Sequence, residues 1–165
     1  MPFSLLPAIR CEALTDLSAD FLASRGITLL MLDFDNTIVP YTTSVPTDRM
    51  EGWLKEMRAS HVQMCVVSNS KRDRVKVFCQ KYGLDCITHS KKPFPKGIRQ
   101  CLAKYDRQPQ QCAIVGDQIF TDTLGGNCAG LTTVLVRPIC NHNFWLKARH
   151  VLEQPFIFMA KNRRI

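Results

Sequence analysis

Pairs of carboxylates follow two apolar runs of this 165-residue chain, at spacings that could hold a metal ion. One run is followed by Asp33 and Asp35, and a later run is followed by Asp117 and Asp122. Carboxylates that lie close together repel each other unless a cation is bound or a proton is shared. Hard oxygen ligands of this kind suit Mg²⁺, which also coordinates phosphate oxygens. The residue types therefore indicate a magnesium site that receives a phosphorylated ligand.

Groups that could bind phosphate follow at other points of the chain. Ser68 comes directly after an apolar run, and Lys92 lies in a basic loop, with Lys91 as a competitor for the same role. A hydroxyl, nearby backbone N–H groups and an ammonium can hold phosphate oxygens. A carboxylate such as Asp33 is a competent nucleophile for phosphoryl transfer. Asp35 could protonate the leaving alcohol and later deprotonate the attacking water.

The elements that must position these groups alternate along the chain. Near-continuous apolar runs are typical of parallel strands buried on both faces, and helical patterns separate them. We predict strands over residues 28–33, 62–67, 113–116 and 132–136, with a short one at 86–88. The predicted fold is α/β, a single domain over residues 1–165 with a doubly wound, mostly parallel sheet. In such sheets the ligand site lies beyond the carboxyl ends of the strands, where the carboxylates stand.

Helices are predicted between the strands from apolar residues at i, i+3, i+4 and i+7. The pattern covers residues 50–57, 75–82 and 98–105, and Gly83 ends the second of these helices. Ser18 as N-cap and Gly26 as stop predict a short helix before the first predicted strand. Trp53 and Trp145 are candidates for the core.

Composition and charge narrow the classes of protein. The apolar share of 45% and charged share of 22% are those of an ordinary globular chain. The net charge of +8 favours an anionic partner. Basic residues form no stripe interleaved with aromatic residues, so we predict no nucleic-acid partner. The sequence carries no signal for the oligomeric state.

Two further features predict where the protein works. No apolar run approaches the roughly 20 residues of a membrane-spanning helix, and no basic region precedes the apolar N-terminus, which argues against a secretory signal. The eight cysteines form no C-x-x-C pair, so small buried residues in a reducing compartment are expected rather than zinc ligands. A cytoplasmic location follows as an expectation.

Four segments lie in a fixed order along the chain: Asp33-Phe34-Asp35-Asn36-Thr37, Ser68, Lys92-Pro93, and Gly116-Asp117 with Asp122. They resemble the four motifs of the haloacid-dehalogenase (HAD) superfamily of phosphatases. The resemblance implies that Asp33 is the nucleophile and a metal ligand, and that Asp35 is the acid/base and lends its backbone carbonyl to the metal. It further implies phosphate binding by Thr37, Ser68, Asn69 and Lys92, and Mg²⁺ binding by Asp117 and Asp122.

A closer resemblance covers nearly the whole chain. Ser68-Asn69-Ser70 followed by Arg74, together with the segment from Gly116 to Asn127, is similar to the YqeG-like branch of HAD subfamily IIIA. That branch includes the mitochondrial-type phosphatidylglycerophosphatases. The resemblance implies dephosphorylation of phosphatidylglycerophosphate to phosphatidylglycerol.

The spacing of the motifs predicts an open site. Between Asp35 and Ser68 there are 32 residues, and between Ser68 and Lys92 there are 23, which a helix and a strand use up in each case. No cap domain is therefore expected, and an open site could dock against a large partner such as an anionic phospholipid surface. Residues 2–6 and 155–159 are apolar and could contact a bilayer, on the inner membrane face, or pack onto the domain.

Two other functions remain open at the level of the sequence. A HAD phosphatase of this kind could act instead on a soluble metabolite, a nucleotide or a phosphoprotein. A receiver domain of a signalling relay also has an acidic Mg²⁺ pocket, a phosphorylated Asp, a hydroxyl and a Lys. In receivers the acceptor Asp lies mid-chain and no second carboxylate stands where Asp35 does, which favours the phosphatase.

Overall fold

A computed structural model describes residues 4–71, 73–140 and 144–163, and within them six parallel strands form one sheet. The strands are β1 (Ile9–Cys11), β2 (Leu29–Leu32), β3 (Gln63–Val67), β4 (Asp85–Ile87), β5 (Cys112–Gly116) and β6 (Thr132–Val136). Their order across the sheet is β1-β6-β5-β2-β3-β4. Every pairing is parallel, as the apolar runs predict.

Helices cover the sheet. They are α1 (Ala19–Ser24), α2 (Asp48–Ala59), α3 (Arg74–Tyr82), α4 (Lys96–Tyr105), α5 (Leu124–Ala129) and α6 (Phe144–Met159). Short 3₁₀ turns occupy Leu14–Asp16, Pro109–Gln111 and Lys161–Arg163, and a π-helical turn covers Ile119–Thr123. The prediction of an α/β fold is thereby confirmed.

Strand β2 shows why the sheet is buried on both faces. All four of its residues are fully shielded from solvent. Successive side chains of a strand point to opposite faces. Accordingly Leu30 packs in one hydrophobic cluster with Phe34, while Leu29 and Met31 pack in a second cluster with Ile98.

The predicted helices and their ends are confirmed. Ser18 caps α1, because its Oγ accepts a hydrogen bond from the Phe21 N–H at 3.1 Å. Gly83 ends α3 in the left-handed region, at a φ of 62° that glycine adopts without strain. Trp53 is buried in the core and donates from Nε1 to the Leu17 carbonyl. The Trp145 side chain lies outside the described part of the chain.

Strand β1 is absent from the sequence prediction. It has three residues, and Ile9 pairs with Val134 of β6 at the edge of the sheet. So short a segment has no periodicity of its own, and its strand conformation comes from pairing with β6. The short fourth strand also lies one residue earlier than predicted, at Asp85–Ile87.

The strand order places a topological switch at β2. The chain continues from β2 through β3 to β4 on one side, then returns to β5 on the other side. Binding sites of open α/β sheets lie at such switch points, beyond the carboxyl ends of the strands. Between Asp35 and Ser68 the main elements are α2 and β3, which leaves no room for a cap. Among the described residues, no helix is long and apolar enough to cross a bilayer.

Close packing at Gly126 of α5 yields a stability prediction. A Cβ at Gly126 would lie 2.4 Å from Ile114 Cγ2 and 2.5 Å from Thr133 Cγ2. We expect Gly126→Ala to lower the free energy of unfolding by about 1–3 kcal/mol through overpacking. Gly52 in α2 is the matched control, since a Cβ there meets nothing within 4 Å. Gly52→Ala is expected to raise stability by about 0.5–1 kcal/mol. Urea unfolding measures both, and equal effects would contradict the packing argument.

Candidate active site

Asp33 is held at the carboxyl edge of the sheet by the strand that precedes it. Its backbone N–H donates to the Val115 carbonyl at 2.9 Å, which extends the β2–β5 pairing by one residue. The chain then turns sharply, with Asn36 at a φ of 61° and its N–H bonded to the Val39 carbonyl. Asn36 Oδ1 accepts from the Tyr41 N–H at 3.1 Å. The turn keeps Asp35 beside Asp33 without continuing the strand.

Three buried carboxylates converge at this edge. Asp33, Asp117 and Asp122 each offer an oxygen, and these oxygens all lie within 4.8 Å of one another. Asp117 follows β5 directly, and Asp122 lies in the π-helical turn after it. Asp122 Oδ2 accepts from the Gln118 N–H at 3.3 Å, which orients that carboxylate. Residues from two strand ends thus form one acidic cluster.

Lys92 reaches into the cluster from the loop before α4. Its Nζ lies 2.7 Å from Asp33 Oδ1 and 2.7 Å from Asp122 Oδ1. Burial alone lowers the pKa of Lys92, but the Asp122 and Asp33 carboxylates outweigh it and raise that pKa above its ordinary value. Lys91 is exposed, so Lys92 is the member of the pair that lies in the site.

The charges of the cluster match a divalent cation. One ammonium offsets one of three formal negative charges, and burial raises the pKa of Asp122 to about 6, with Asp33 acting in the same direction and Lys92 opposing. Opposite ligands of one Mg²⁺ lie about 4 Å apart, close to the spacing of these oxygens. Three carboxylates from rigid elements therefore fit a small, hard, oxygen-bound ion.

A cavity of about 160 Å³ opens beside the cluster. Water takes about 30 Å³ per molecule, so the cavity has space for a phosphate group. Its lining residues come from four segments that follow strands β2, β3, β4 and β5: Asp33, Asp35, Asn36, Tyr41, Ser68, Asn69, Ser70, Lys92, Gln118 and Thr121. The predicted nucleophile, the predicted acid/base and three of the four predicted phosphate ligands thus face one space.

Asn69 is engaged in supporting the lysine loop. Its Oδ1 accepts from the Lys92 N–H at 2.7 Å and from Ser90 Oγ at 2.8 Å, while its Nδ2 donates to the Lys92 carbonyl at 2.9 Å. These bonds fix the backbone from which the lysine side chain extends. Phosphate binding by Asn69 and Ser68 stays a prediction.

Thr37 lies apart from the cavity lining. It is buried, and its hydroxyl has no hydrogen-bond partner among the described residues. Phosphate binding by Thr37 therefore also stays a prediction.

The Asp35 side chain lies outside the acidic cluster and forms an ion pair with Arg74. A metal contact through its backbone carbonyl, as the resemblance implies, stays a prediction. A half-buried carboxyl that lines the cavity next to Asp33 is placed for proton transfer to or from a bound phosphate ester.

Arg74 lies beside the site, although the sequence pattern assigned it no role there. As the first residue of α3, it donates from Nη1 to the Tyr41 carbonyl at 3.0 Å and to the Thr43 carbonyl at 2.9 Å. Its guanidinium lies 5.1 Å from the centre of the Phe34 ring. Arg74 thus connects α3 to Asp35 and to the loop that follows it. The signal in the sequence is the position of Arg74, six residues after Ser68, in the segment that resembles the YqeG-like branch.

Glu153 of α6 is a second residue that the sequence reasoning missed. It is buried, and its Oε1 accepts from the Ile119 N–H at 2.8 Å and the Phe120 N–H at 3.4 Å. These amides belong to the first two residues of the π-helical turn that carries Asp122. A single acidic residue within the apolar segment 151–160 was the available signal.

The fold and the acidic site together define a class. The structure resembles the crystal structure of a HAD-superfamily hydrolase from Ehrlichia chaffeensis, with a TM-score of 0.54, 15% identity, and coverage of 78% of this chain and 97% of that one. At that identity the likeness shows the fold. The fold class is the α/β fold with a parallel sheet that this structure shares.

Sequence comparisons then place the chain in a family. Residues 1–140 match the family described as mitochondrial PGP phosphatase. "Probable phosphatase YqeG" of Bacillus subtilis is 32% identical over 120 residues, which cover 73% of this chain and 70% of that protein. "Phosphatidylglycerophosphatase GEP4, mitochondrial" of Saccharomyces cerevisiae is 28% identical over 127 residues, 68% of each chain. The chain belongs to the mitochondrial PGP phosphatase family and is a HAD-type phosphatase. This outcome favours the phosphatase over the receiver module.

Lys92 provides a test of the site. Removing one partner of a buried ion pair leaves uncompensated charge, which typically costs about 3–5 kcal/mol. We expect Lys92→Met to lower the free energy of unfolding by a few kcal/mol at neutral pH and to reduce phosphatase turnover by roughly 100-fold or more. The neighbouring Lys91→Met is the matched control and should behave as the wild type, because Lys91 is exposed. Urea unfolding and hydrolysis of p-nitrophenyl phosphate measure the two effects. Equal losses in both variants would contradict the assigned position of Lys92.

Proposed function

We propose that the protein is a Mg²⁺-dependent phosphomonoester hydrolase that forms an aspartyl-phosphate on Asp33 and acts on phosphatidylglycerophosphate. One observation carries the chemical part of the proposal. Asp33 contacts the Lys92 ammonium and clusters with the buried Asp117 and Asp122 carboxylates, at the wall of a cavity large enough for phosphate. The family match supports the substrate.

The proposed reaction consists of two successive displacements at phosphorus, in which Asp33, Asp35 and Lys92 have separate roles. A carboxylate oxygen of Asp33 attacks phosphorus, and the bond from phosphorus to the leaving alcohol breaks. Asp35 gives its proton to that alcohol oxygen and later takes a proton from the water that attacks the phospho-aspartate. Inorganic phosphate leaves, and the Asp33 carboxylate is regenerated. Lys92 holds positive charge beside Asp33, where the negative charge of the transferring group collects.

The Asp33, Asp117 and Asp122 carboxylates, with the Asp35 carbonyl, would hold the magnesium ion. When bound, the ion neutralises charge on phosphate oxygens and orients the phosphoryl group. Arg74 and Asn69 serve as positioning residues, because the first contacts Asp35 and the second fixes the Lys92 loop. Ser68 follows β3 and lines the cavity, and in this proposal it binds a phosphate oxygen.

An anionic phospholipid fits the openness of the site. The connections after Asp35 and after Ser68 hold no cap among the described residues, so the cavity faces the surroundings directly. A net charge of +8 favours an anionic surface. A peripheral position on the inner membrane face, reached from the cytoplasm, accords with these features. Soluble metabolites, nucleotides and phosphoproteins are the alternative substrates.

Magnesium binding predicts a stability increase. A ligand at about 100 times its Kd stabilises a protein by about 2.7 kcal/mol, which for a chain of this length raises Tm by roughly 5–10 °C. We expect saturating Mg²⁺ to produce such a shift in the wild type after chelator treatment. Asp117→Asn should show a much smaller shift, because it lacks one carboxylate of the cluster. As a control, Asp48→Asn, at an exposed residue in the first turn of α2, should shift as the wild type does. Differential scanning fluorimetry provides the measurement, and equal shifts in all three proteins would contradict the assigned ion site.

Substrate identity is tested by turnover. We expect phosphate release from phosphatidylglycerophosphate in mixed micelles with Mg²⁺ to exceed release from a panel of sugar phosphates, nucleotides and phosphopeptides. Asp33→Asn should lose about 10³-fold or more of every activity, because it removes the nucleophile, while Asp48→Asn stays active. Faster turnover of a soluble ester would refute the lipid substrate, and an active Asp33→Asn would refute the aspartyl-phosphate.

A further inference from the structure

Helix α6 presents an apolar face to the surroundings. Its members, called the outer face below, are Val151, Leu152, Pro155, Phe158 and Met159, all of them exposed. At about 100° per residue these positions fall within an arc of roughly 120° on one side of the helix. Val151, Leu152, Phe158 and Met159 are each about two-thirds exposed or more, from 65% for Met159 to 75% for Phe158. Contiguous exposed apolar surface of this kind marks an interaction site.

The opposite side of α6 packs against the carboxyl edge of the sheet, where the acidic cluster lies. Glu153 is buried and accepts hydrogen bonds from the Ile119 and Phe120 N–H groups. Phe156 packs edge-on against Phe120, with ring centres 6.2 Å apart. Ala160 is fully buried where the helix ends. The outer face therefore has a fixed orientation relative to the turn that carries Asp122.

The charges around the outer face favour an anionic partner. Glu153 is the sole acidic residue between positions 151 and 163, and it is buried against backbone amides. Lys161 and Arg163 follow the helix, and Arg163 donates to the Pro7 carbonyl at 2.7 Å. Apolar side chains bordered by basic residues are typical of helices that lie in the interface of an anionic membrane.

We propose that the outer face of α6 docks the enzyme on a bilayer that contains anionic phospholipid. The proposal rests on the proposed lipid substrate and names the element that brings the site to it. A second cavity, of about 250 Å³, lies between α6 and the sheet and is lined by Gln154 and Ile157 on one side and by Asp117 on the other. The inner side of α6 thus borders a cavity that reaches one carboxylate of the acidic cluster.

A second copy of the chain is the rival occupant. Stable dimers bury about 800 Å² per partner. Five side chains along about two turns of one helix offer less than that, and the surrounding positive charge would face itself across such an interface. A lipid surface needs no matching partner surface and complements the charge.

Vesicle binding of the whole chain tests the proposal. We expect co-sedimentation with phosphatidylcholine vesicles that contain 30 mol% phosphatidylglycerol, and weak binding to vesicles of phosphatidylcholine alone. Val151→Gln/Phe158→Gln should reduce binding to the anionic vesicles by roughly tenfold or more, because two large apolar groups are lost. Single variants give a matched pair: Val151→Gln should weaken binding, and Val77→Gln of α3 should not, although Val77 is 64% exposed and Val151 66%.

Two further measurements decide between outcomes. All variants should hydrolyse p-nitrophenyl phosphate at the wild-type rate, which shows that the site is intact. Unchanged vesicle binding by the double variant overturns the docking proposal, as does a wild-type dimer in sedimentation velocity that the double variant dissociates. The vesicles contain no phosphatidylglycerophosphate, so binding is scored separately from hydrolysis. A wild type that docks through α6 but leaves phosphatidylglycerophosphate intact would refute the substrate and keep the docking.

Discussion

The crowding of three carboxylates at one edge of a buried sheet is the constraint on which the site depends. Asp33, Asp117 and Asp122 bring oxygens within 4.8 Å of one another, where their mutual repulsion is poorly screened. The Lys92 ammonium contacts two of them and leaves a net negative charge. A divalent cation would offset that negative charge, and the ion together with the Lys92 ammonium would supply the positive charge that a phosphate group requires. The proposed binding of an ion and a phosphorylated ligand thus rests on the electrostatics of the cluster.

Such a cluster persists because residues outside it fix its members. Asn69 uses both ends of its amide to hold the Lys92 backbone, and Arg74 links Asp35 and the following loop to α3. Glu153 binds the amides that open the turn carrying Asp122. Each of these groups satisfies hydrogen bonds that would otherwise be lost on burial, so stability and preorganisation of the site have the same source.

The compact connections shape what can reach the site. A helix and a strand fill each connection near the cavity, so among the described residues no cap covers it. Selectivity for a phosphate ester would then come from the residues around the mouth of the cavity. Helix α6 is the element best placed to contribute, because Glu153 ties one side of it to the catalytic edge and its outer face is apolar. In the proposed docking, this one helix connects the acidic cluster to the membrane surface.

The sequence by itself determined the class of fold and the inventory of reactive groups. Buried strands, amphipathic helices and helix caps are local patterns, and Ser18, Gly83 and the apolar run before Asp33 sufficed to predict them. Tertiary structure decided the rest. Lys92 and Asp33 are 59 residues apart along the chain, and only the strand order brings them to 2.7 Å. Three other features also depend on partners that are distant in the sequence: the choice of Lys92 over Lys91, the Asp35–Arg74 pair and the existence of β1. Contacts between distant residues produce no periodic pattern in the sequence, so the sequence does not reveal them.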